Sequence, residues 1–273
     1  MKNKKILRNI LIIIVVLLVA FGVFIVVDNM AFMARYKKEN SLSLFSDDEN
    51  GQNFYILGTI HGNHFDQSRN YSLADIQSTI ETVDPDIILL EFRPETYANF
   101  NNTVDGPAEM IYVYSYATEN GISVAGIDNW EINENAKSNS TTDERDDAIF
   151  NNIKNAAKSE YKTILIIVGR DHLEFQEKRF LDAGYEKQKI KDVNMFYANA
   201  DPNNFKYPNT MIGEIDKKAE FYGNGILEEI GIGIPSNEKA KIEWENNAKG
   251  MVDYLNNDLK PLVEKNLLFI PSE

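Results

Sequence analysis

Hydrophobic positions along this chain fall into short apolar runs that alternate with amphipathic stretches. Four runs of β-branched and aliphatic residues have the length of strands, and they cover residues 53–57, 86–90, 122–128 and 163–168. Apolar residues recur at helical spacing over residues 72–83, 107–119, 141–158 and 172–181. Because strands that alternate with helices build parallel sheets, this pattern predicts an α/β fold with a mixed, largely parallel β-sheet and flanking helices.

The pattern weakens after residue 185. Residues 194–208 are rich in Asn, Tyr and Pro and predict a loop, whereas residues 237–264 have apolar positions at helical spacing. The sequence predicts no topology for residues 207–235, whose paired glycines favour either short strands or a flexible flap.

An unbroken apolar run precedes the first strand. Residues 10–27 are uncharged, and all are apolar except Gly22. A helix of this length nearly spans a bilayer core of roughly 30 Å. Four basic residues within residues 1–9 predict a cytoplasmic N-terminus, so the rest of the chain would be extracytoplasmic. Because the following residues make a poor cleavage site, we expect an uncleaved anchor over residues 10–30, in preference to a cleaved signal peptide.

Composition narrows the class of the remaining chain. Residues 31–52 are polar and predict a juxtamembrane linker, and residues 53–273 suit one α/β domain. The chain has no cysteine, which excludes a disulfide framework and a thiol nucleophile. Its formal net charge of −14 argues against a nucleic-acid partner, which requires a basic surface. The apolar run over residues 10–27 and this composition together predict a single-pass protein of the cell membrane.

The three histidines of the chain lie just after two of the predicted strands. A Gly-x-x-His pattern ends in His61 and recurs at the strand that precedes His172, while His64 follows the first copy. Imidazole titrates near neutral pH and is the commonest protein ligand for metals. Its restriction to two equivalent strand ends indicates a site, although a single histidine there is more often a hydrogen-bonded structural residue. His64 is either a spare ligand or a surface residue.

Carboxylates follow the other two predicted strands. Glu91 comes directly after four aliphatic residues, and Asp128 ends the third strand. Ligands bind beyond the carboxyl ends of parallel strands, so these residues would join His61 and His172 in a divalent-metal site with an open position for water. Glu91 could instead pair with Arg93, and Asp128 could be a turn residue.

Four motifs in fixed order carry a family resemblance. Residues 58–62 (Gly-Thr-Ile-His-Gly), 89–93 (Leu-Leu-Glu-Phe-Arg), 144–146 (Glu-Arg-Asp) and 168–173 (Val-Gly-Arg-Asp-His-Leu) together resemble the TraB/GumN (PrgY, TIKI) family. This family belongs to a wider group with the erythromycin esterase-like and ChaN-like proteins. The resemblance covers about residues 54–185, and the second motif departs from the usual small residues by having Arg170-Asp171.

The resemblance implies a mixed α/β fold with two Gly-x-x-His motifs and a glutamate at one site. It also implies metal-dependent proteolysis of secreted signals, as in the TIKI branch, or removal of a peptide pheromone, as in the PrgY branch. Carried over onto this chain, His61, His172 and Glu91 match the site residues. Arg93 and Arg145 match the supporting arginines.

These observations favour a membrane-anchored, extracytoplasmic, metal-dependent hydrolase that acts on a peptide. Its ion would be Mn, Co or Zn. Common alternatives are missing from the chain, including Gly-x-Ser-x-Gly, His-Glu-x-x-His and the P-loop. The second hypothesis is a protein that sequesters a peptide, a haem-like ligand or a metal without turnover, using the aromatic residues Tyr112, Tyr114, Tyr116 and Trp130. The sequence predicts no oligomeric state.

Overall fold

The computed structural model describes residues 42–69, 71–132, 142–233 and 237–271, together with Ile14 and Gly22. Backbone contacts divide the chain into two units, Met1–Asn40 and Ser41–Glu273. Within the described residues, no helix is long and apolar enough to cross a membrane. The anchor predicted over residues 10–30 lies outside these residues, apart from the helical Ile14 and Gly22.

The second unit is built on one six-stranded sheet. Its strands are β1 (Leu42–Asp47), β2 (Gln52–Thr59), β3 (Ile87–Leu90), β4 (Ser123–Gly126), β5 (Thr163–Gly169) and β6 (Glu186–Gln188). They lie in the order β4, β3, β5, β2, β1, β6. Strands β4, β3, β5 and β2 are mutually parallel, and β1 pairs antiparallel with both β2 and β6. The mixed, largely parallel sheet confirms the predicted fold class.

Helices flank this sheet, and further helices follow its last strand along the chain. They are α1 (Leu73–Val83), α2 (Pro94–Asn99), α3 (Ala108–Glu119), α4 (Asp143–Ala156), α5 (Arg170–Asp182), α6 (Met211–Glu220), α7 (Ile226–Gly233), α8 (Glu238–Tyr254) and α9 (Lys260–Glu264). Helices α1, α3, α4, α5 and α8 were expected from the apolar spacing. At the start of α4, the Thr142 side chain accepts the backbone N–H of Arg145, which fixes that arginine in the first turn.

The predicted linker over residues 31–52 includes a strand, which corrects the sequence-based boundary. Strand β1 buries Phe45 completely, and the Phe45 ring packs 5.1 Å from that of Phe180. The segment looked polar because serines and Asp47 surround its few apolar residues. Strand β6 also escaped prediction, since all three of its residues are exposed and show no apolar pattern.

The expectation of strands or a flap within residues 207–235 is wrong, because helices α6 and α7 occupy most of this segment. A π-helical turn, Phe221–Gly225, joins them and contains the first glycine pair. A side chain at Gly225 would lie 2.6 Å from the Phe100 ring, so this glycine permits close packing. The glycines therefore mark a compact helical turn, which a sequence pattern of turn residues does not distinguish from a loop.

Candidate functional site

Four neighbouring parallel strands deliver the predicted site residues to one edge of the sheet. Asp128, Glu91, His172 and His61 follow β4, β3, β5 and β2, which is also the order of these strands across the sheet. In the strand register, Leu90 pairs with Ile167 and Thr59 pairs with Gly169, so the strand ends are level with one another. Parallel pairing thus brings together residues that are far apart in the sequence.

Glu91 lies at the centre of this arrangement and is only 3% exposed. Its Oε1 lies 3.1 Å from an Arg145 guanidinium nitrogen and 3.4 Å from His172 Nε2. Its Oε2 accepts the backbone N–H of Gly169. Burial by itself raises the pKa of Glu91, but the hydrogen bond with His172 and the surrounding positive charges hold the pKa below its usual value. Glu91 is therefore ionised at neutral pH.

His172 is oriented from its far side by a buried carboxylate. His172 Nδ1 lies 2.8 Å from Asp146 Oδ1, and the Gln176 amide donates to the same oxygen at 2.9 Å. Burial lowers the pKa of His172, but its hydrogen bonds with Asp146 and Glu91 outweigh burial and raise the pKa to about 9. The imidazole thus presents its Nε2 side to Glu91 in the protonated state.

His61 has the same arrangement with a different carboxylate. His61 Nδ1 lies 2.8 Å from Glu109 Oε1, an atom that also accepts the Thr59 hydroxyl at 2.8 Å. Burial lowers the pKa of His61, and the Glu109 charge outweighs it and raises the pKa to about 9. The His61 side chain is 45% exposed, and its φ of 50° places it in the left-handed region. Such a backbone is uncommon for a residue other than glycine and often marks functional sites.

Only the backbone of Gly169 lies between the His61 ring and the Glu91 carboxylate. A Cβ at this position would lie 2.5 Å from His61 Nε2 and 3.2 Å from Glu91 Oε2. Glycine is therefore required for the close approach of the two groups. The two Gly-x-x-His motifs are not equivalent here, because the glycine of one makes room for the histidine of the other.

The two arginines that were expected to support the site lie in different places. Arg145 grips Asp128 with two hydrogen bonds of 2.9 and 2.8 Å and also reaches Glu91. Arg93 does not pair with Glu91. Its backbone and side chain bind Asp105 at 2.8 and 2.7 Å, and its guanidinium lies 3.6 Å from the centre of the Trp130 ring. Arg145 is thus the arginine that belongs to the group of Glu91, His61 and His172, called the Glu91 centre below. Arg93 instead binds the neighbouring loop that contains Asp105.

His64 is a buried residue, which rules out a place on the surface. It is fully enclosed, and neither ring nitrogen has a hydrogen-bond partner among the residues that the structure describes. Its ring lies 5.3 Å from that of Tyr71. Burial lowers the pKa of His64 to about 4, so its imidazole is neutral at physiological pH.

A cavity of about 420 Å³ opens onto this centre. Its wall includes charged groups (His61, Glu91, Asp105, Asp128, Arg145, Lys218), apolar or aromatic side chains (Pro107, Ala108, Trp130, Tyr222, Trp244, Met251, Tyr254) and two glycines (Gly62, Gly106). Trp130 and Trp244 stack with their centroids 6.0 Å apart. Among the four aromatic residues that the sequence suggested for ligand binding, Trp130 lines this cavity. Tyr112, by contrast, is fully buried and packs against Phe205.

Sequence reasoning missed the carboxylates that orient the histidines. Glu109 lies in the first turn of α3, among mostly buried apolar residues, where an acidic side chain is a usable signal because burial of a charge requires a partner. Asp146 belongs to the Glu-Arg-Asp motif, but the resemblance drew attention to Arg145 alone. Lys218 gave no signal, since it follows another lysine in an amphipathic helix.

A divalent ion fits this site in part. Both imidazoles have Nδ1 on a buried carboxylate, the arrangement in which histidine offers Nε2 to a metal. Both Glu91 oxygens are already engaged, however, and both Asp128 oxygens accept from Arg145. Within the described part of the chain, no three His, Asp or Glu side chains are arranged to hold a metal ion. The two Nε2 atoms are therefore candidate metal ligands, and a third is lacking among the described residues.

Known protein families, curated proteins and solved structures were compared with the chain, and none matches. The resemblance to the TraB/GumN family consequently rests on the four motifs and stays a prediction.

Proposed function

We propose that this chain is a hydrolase that cleaves an amide bond of a peptide at the Glu91 centre. One observation carries the proposal: a buried, ionised glutamate lies beside two imidazoles, and a separate buried carboxylate holds each imidazole in place. Pairs of groups whose surroundings push their pKa values apart are typical of general acid–base sites. Glu91 and His61 also line a cavity, which a purely structural role would not require.

The roles of the residues follow from their charge and exposure. Glu91 is ionised and accepts a proton from the attacking water as the water oxygen bonds to the substrate carbonyl carbon. His61 is protonated below pH 9 and reaches the cavity, so its Nε2 donates a proton to the leaving amine as the C–N bond breaks. The products are a carboxylic acid and an amine. Arg145 and His172 keep Glu91 oriented between these steps.

Metal dependence is a separate part of the proposal. A divalent ion bound by the Nε2 atoms of His61 and His172 would polarise the substrate carbonyl and lower the pKa of water. Binding would require both imidazoles to lose the protons that they hold below pH 9. Mn²⁺, Co²⁺ and Zn²⁺ are the ions to test.

The proposed location follows from the apolar run near the N-terminus. We place the hydrolase on the cell membrane, anchored through residues 10–30, with its α/β domain outside the cytoplasm. Peptides in that compartment are then its natural substrate class.

The test is hydrolysis of a fluorogenic peptide library by the full chain in detergent. We expect Glu91→Gln and His61→Ala to lower kcat/KM by about 10²- to 10⁴-fold, since each removes an acid–base group. Glu95→Gln, an exposed carboxylate on α2, is the matched control and should retain full activity. The hydrolase proposal fails if the unchanged protein is folded and cleaves no library member, or if Glu91→Gln retains full activity.

Metal dependence is tested in the same preparation. After treatment with a chelator, one of the three ions should restore activity and bind stoichiometrically, and both His61→Ala and His172→Ala should abolish its binding. Full activity in the chelated protein would reject metal dependence and leave acid–base chemistry by Glu91 and His61.

A second candidate function is ligand capture without turnover. The observation that favours it is the aromatic part of the cavity wall, where Trp130, Trp244, Tyr222 and Tyr254 form the kind of surface that binds small ligands. Recovery of a bound peptide unchanged after prolonged incubation would support capture over hydrolysis.

A further inference from the structure

Lys218 is a buried amine in the wall of the same cavity. It lies on α6, is 1% exposed, and donates to the backbone carbonyl of Gly106. An ammonium group has three N–H donors. Gly106 is the sole hydrogen-bond acceptor that it reaches within the described part of the chain, so two donors remain for a further group.

The other cations of the cavity are already committed to carboxylates. Arg145 pairs with Asp128 and Glu91, and His61 pairs with Glu109. Lys218, by contrast, has no carboxylate within 4 Å among the described residues. Burial lowers the pKa of Lys218 to about 8, so the amine is still charged at neutral pH. The charges of Asp105 and Glu109 oppose this shift from more than 4 Å away, so no counter-ion contacts the buried amine, and a bound anion would relieve the cost of burying it.

The amine is close to the Glu91 centre through a single intervening residue. Lys218 binds the carbonyl of Gly106, and Gly106 lies so close to the Glu91 backbone that any side chain there would collide with the Glu91 carbonyl oxygen. An anion at Lys218 would therefore bind within the cavity that Glu91 and His61 also line.

Aromatic side chains cover another part of this cavity. Tyr222 lies 5.7 Å from the Lys218 amine, and Trp130, Trp244 and Tyr254 continue the apolar surface. A ligand that fits both features has an apolar group and a nearby negative charge.

We propose that Lys218 binds a carboxylate of the substrate, so that the site selects peptides with a negative charge next to an apolar residue. The inference rests on the proposed function in that the ligand is called a substrate, but it concerns binding and has its own test. The carboxylate has two possible sources, the C-terminus of a peptide or an acidic side chain. Lys218 is thus a specificity residue and takes no part in the bond-breaking step.

The test measures peptide affinity by calorimetry with the full chain in detergent. The probes are acetylated tetrapeptides that end in phenylalanine, prepared as free acids, as C-terminal amides, and as amides with an internal glutamate. The Glu91→Gln background prevents turnover during the measurement. Lys218→Met removes the amine at nearly constant volume, and Lys217→Met is the matched control because Lys217 pairs with Glu214 away from the cavity wall.

We expect the free acid to bind about tenfold or more tightly than the amide, as is typical of a charged hydrogen bond. Lys218→Met should reduce the affinity for the acid to that of the amide, while Lys217→Met should preserve the difference. Tight binding of the amide with internal glutamate would identify a side-chain carboxylate as the source, and weak binding would identify the C-terminus.

Equal affinity for all three probes would overturn the inference, as would absence of binding or a preference for the acid that survives in Lys218→Met. If Lys218→Met does not fold, Lys218→Gln, which keeps a polar group and removes the charge, takes its place in the same comparison. A preference for the acid in a protein that hydrolyses nothing would reject the hydrolase proposal and retain this inference.

Discussion

The protonation state of Glu91 depends on side chains that reach it from neighbouring helices. Burial favours its neutral form, whereas Arg145 and His172 favour its ionised form. The balance between the neutral and the ionised form of Glu91 thus depends on tertiary contacts. The sequence motif around Glu91 does not specify this balance.

Gly169 is the position at which a single methyl group tests the geometry of the site. Gly169→Ala would place a Cβ 2.5 Å from His61 Nε2 and displace that ring. Because small displacements of catalytic groups are costly, we expect kcat/KM for peptide hydrolysis to fall by about 100-fold. The free energy of unfolding should fall by about 1–3 kcal/mol, since displacement of His61 weakens its hydrogen bond with the buried Glu109.

Gly213→Ala is the control for the same substitution. Gly213 lies in α6, and a Cβ added there would have nothing within 4 Å. Alanine at this position should therefore raise helix stability by up to about 1 kcal/mol and leave kcat/KM unchanged. If Gly169→Ala hydrolysed peptides as fast as the unchanged protein, close contact between His61 and Glu91 would not matter for activity.

At the residue level, the sequence indicated the inner groups of the site and missed the outer ones. His61, Glu91 and His172 follow recognisable strand patterns, so their position at one sheet edge was predictable. Glu109 and Asp146 lie on helices, 48 and 26 residues away from the histidines that they hold. Their contacts depend on how those helices pack on the sheet, which no local pattern specifies.

At the level of elements, the β1–β2 hairpin shows that a polar-looking segment can be part of the core. Phe45 is the β1 residue whose ring packs against Phe180 in the main hydrophobic cluster. Strand β1 also separates β2 from β6 in the sheet. The folded domain therefore begins before residue 52.

Phe45→Ala tests this role of the hairpin. Removal of a fully buried ring leaves a cavity, so the free energy of unfolding should fall by about 3 kcal/mol or more in a urea titration. Phe175→Ala, a ring on α5 that is 38% exposed, should cost less than about 1 kcal/mol. Equal losses in the two variants would show that β1 contributes no more than a surface residue.

At the level of the whole molecule, the histidines make stability depend on pH. The pKa of His172 is about 9 in the folded chain, above its ordinary value near 6.5, so folding favours the protonated form. Its contribution is complete below pH 6.5 and is lost as pH rises through 9. His61, with its pKa of about 9, adds a change of the same sign, whereas His64, with its pKa of about 4, opposes it mainly below pH 6.5 and Lys218, with its pKa of about 8, opposes it above pH 8.

Between pH 6.5 and 8, the free energy of unfolding of the metal-free protein should therefore decrease with rising pH. The expected slope from His172 is about 1 kcal/mol per pH unit, measured by urea titration in the presence of a chelator. His172→Gln should be less stable at pH 6.5 and show a shallower slope. A flat profile in the unchanged protein would contradict the ion pair of His172 with Asp146 and Glu91.

The sequence by itself determined the alternation of strands and helices, and with it the α/β class and the sheet edge at which His61, Glu91, Asp128 and His172 lie. These follow from local periodicity and from the rule that parallel strands end on one side. Tertiary structure alone decided which arginine binds Glu91, which carboxylates hold the histidines, and that Lys218 faces the cavity. Each of those contacts joins elements distant in sequence, and its energy depends on burial and distance, which are properties of the folded chain.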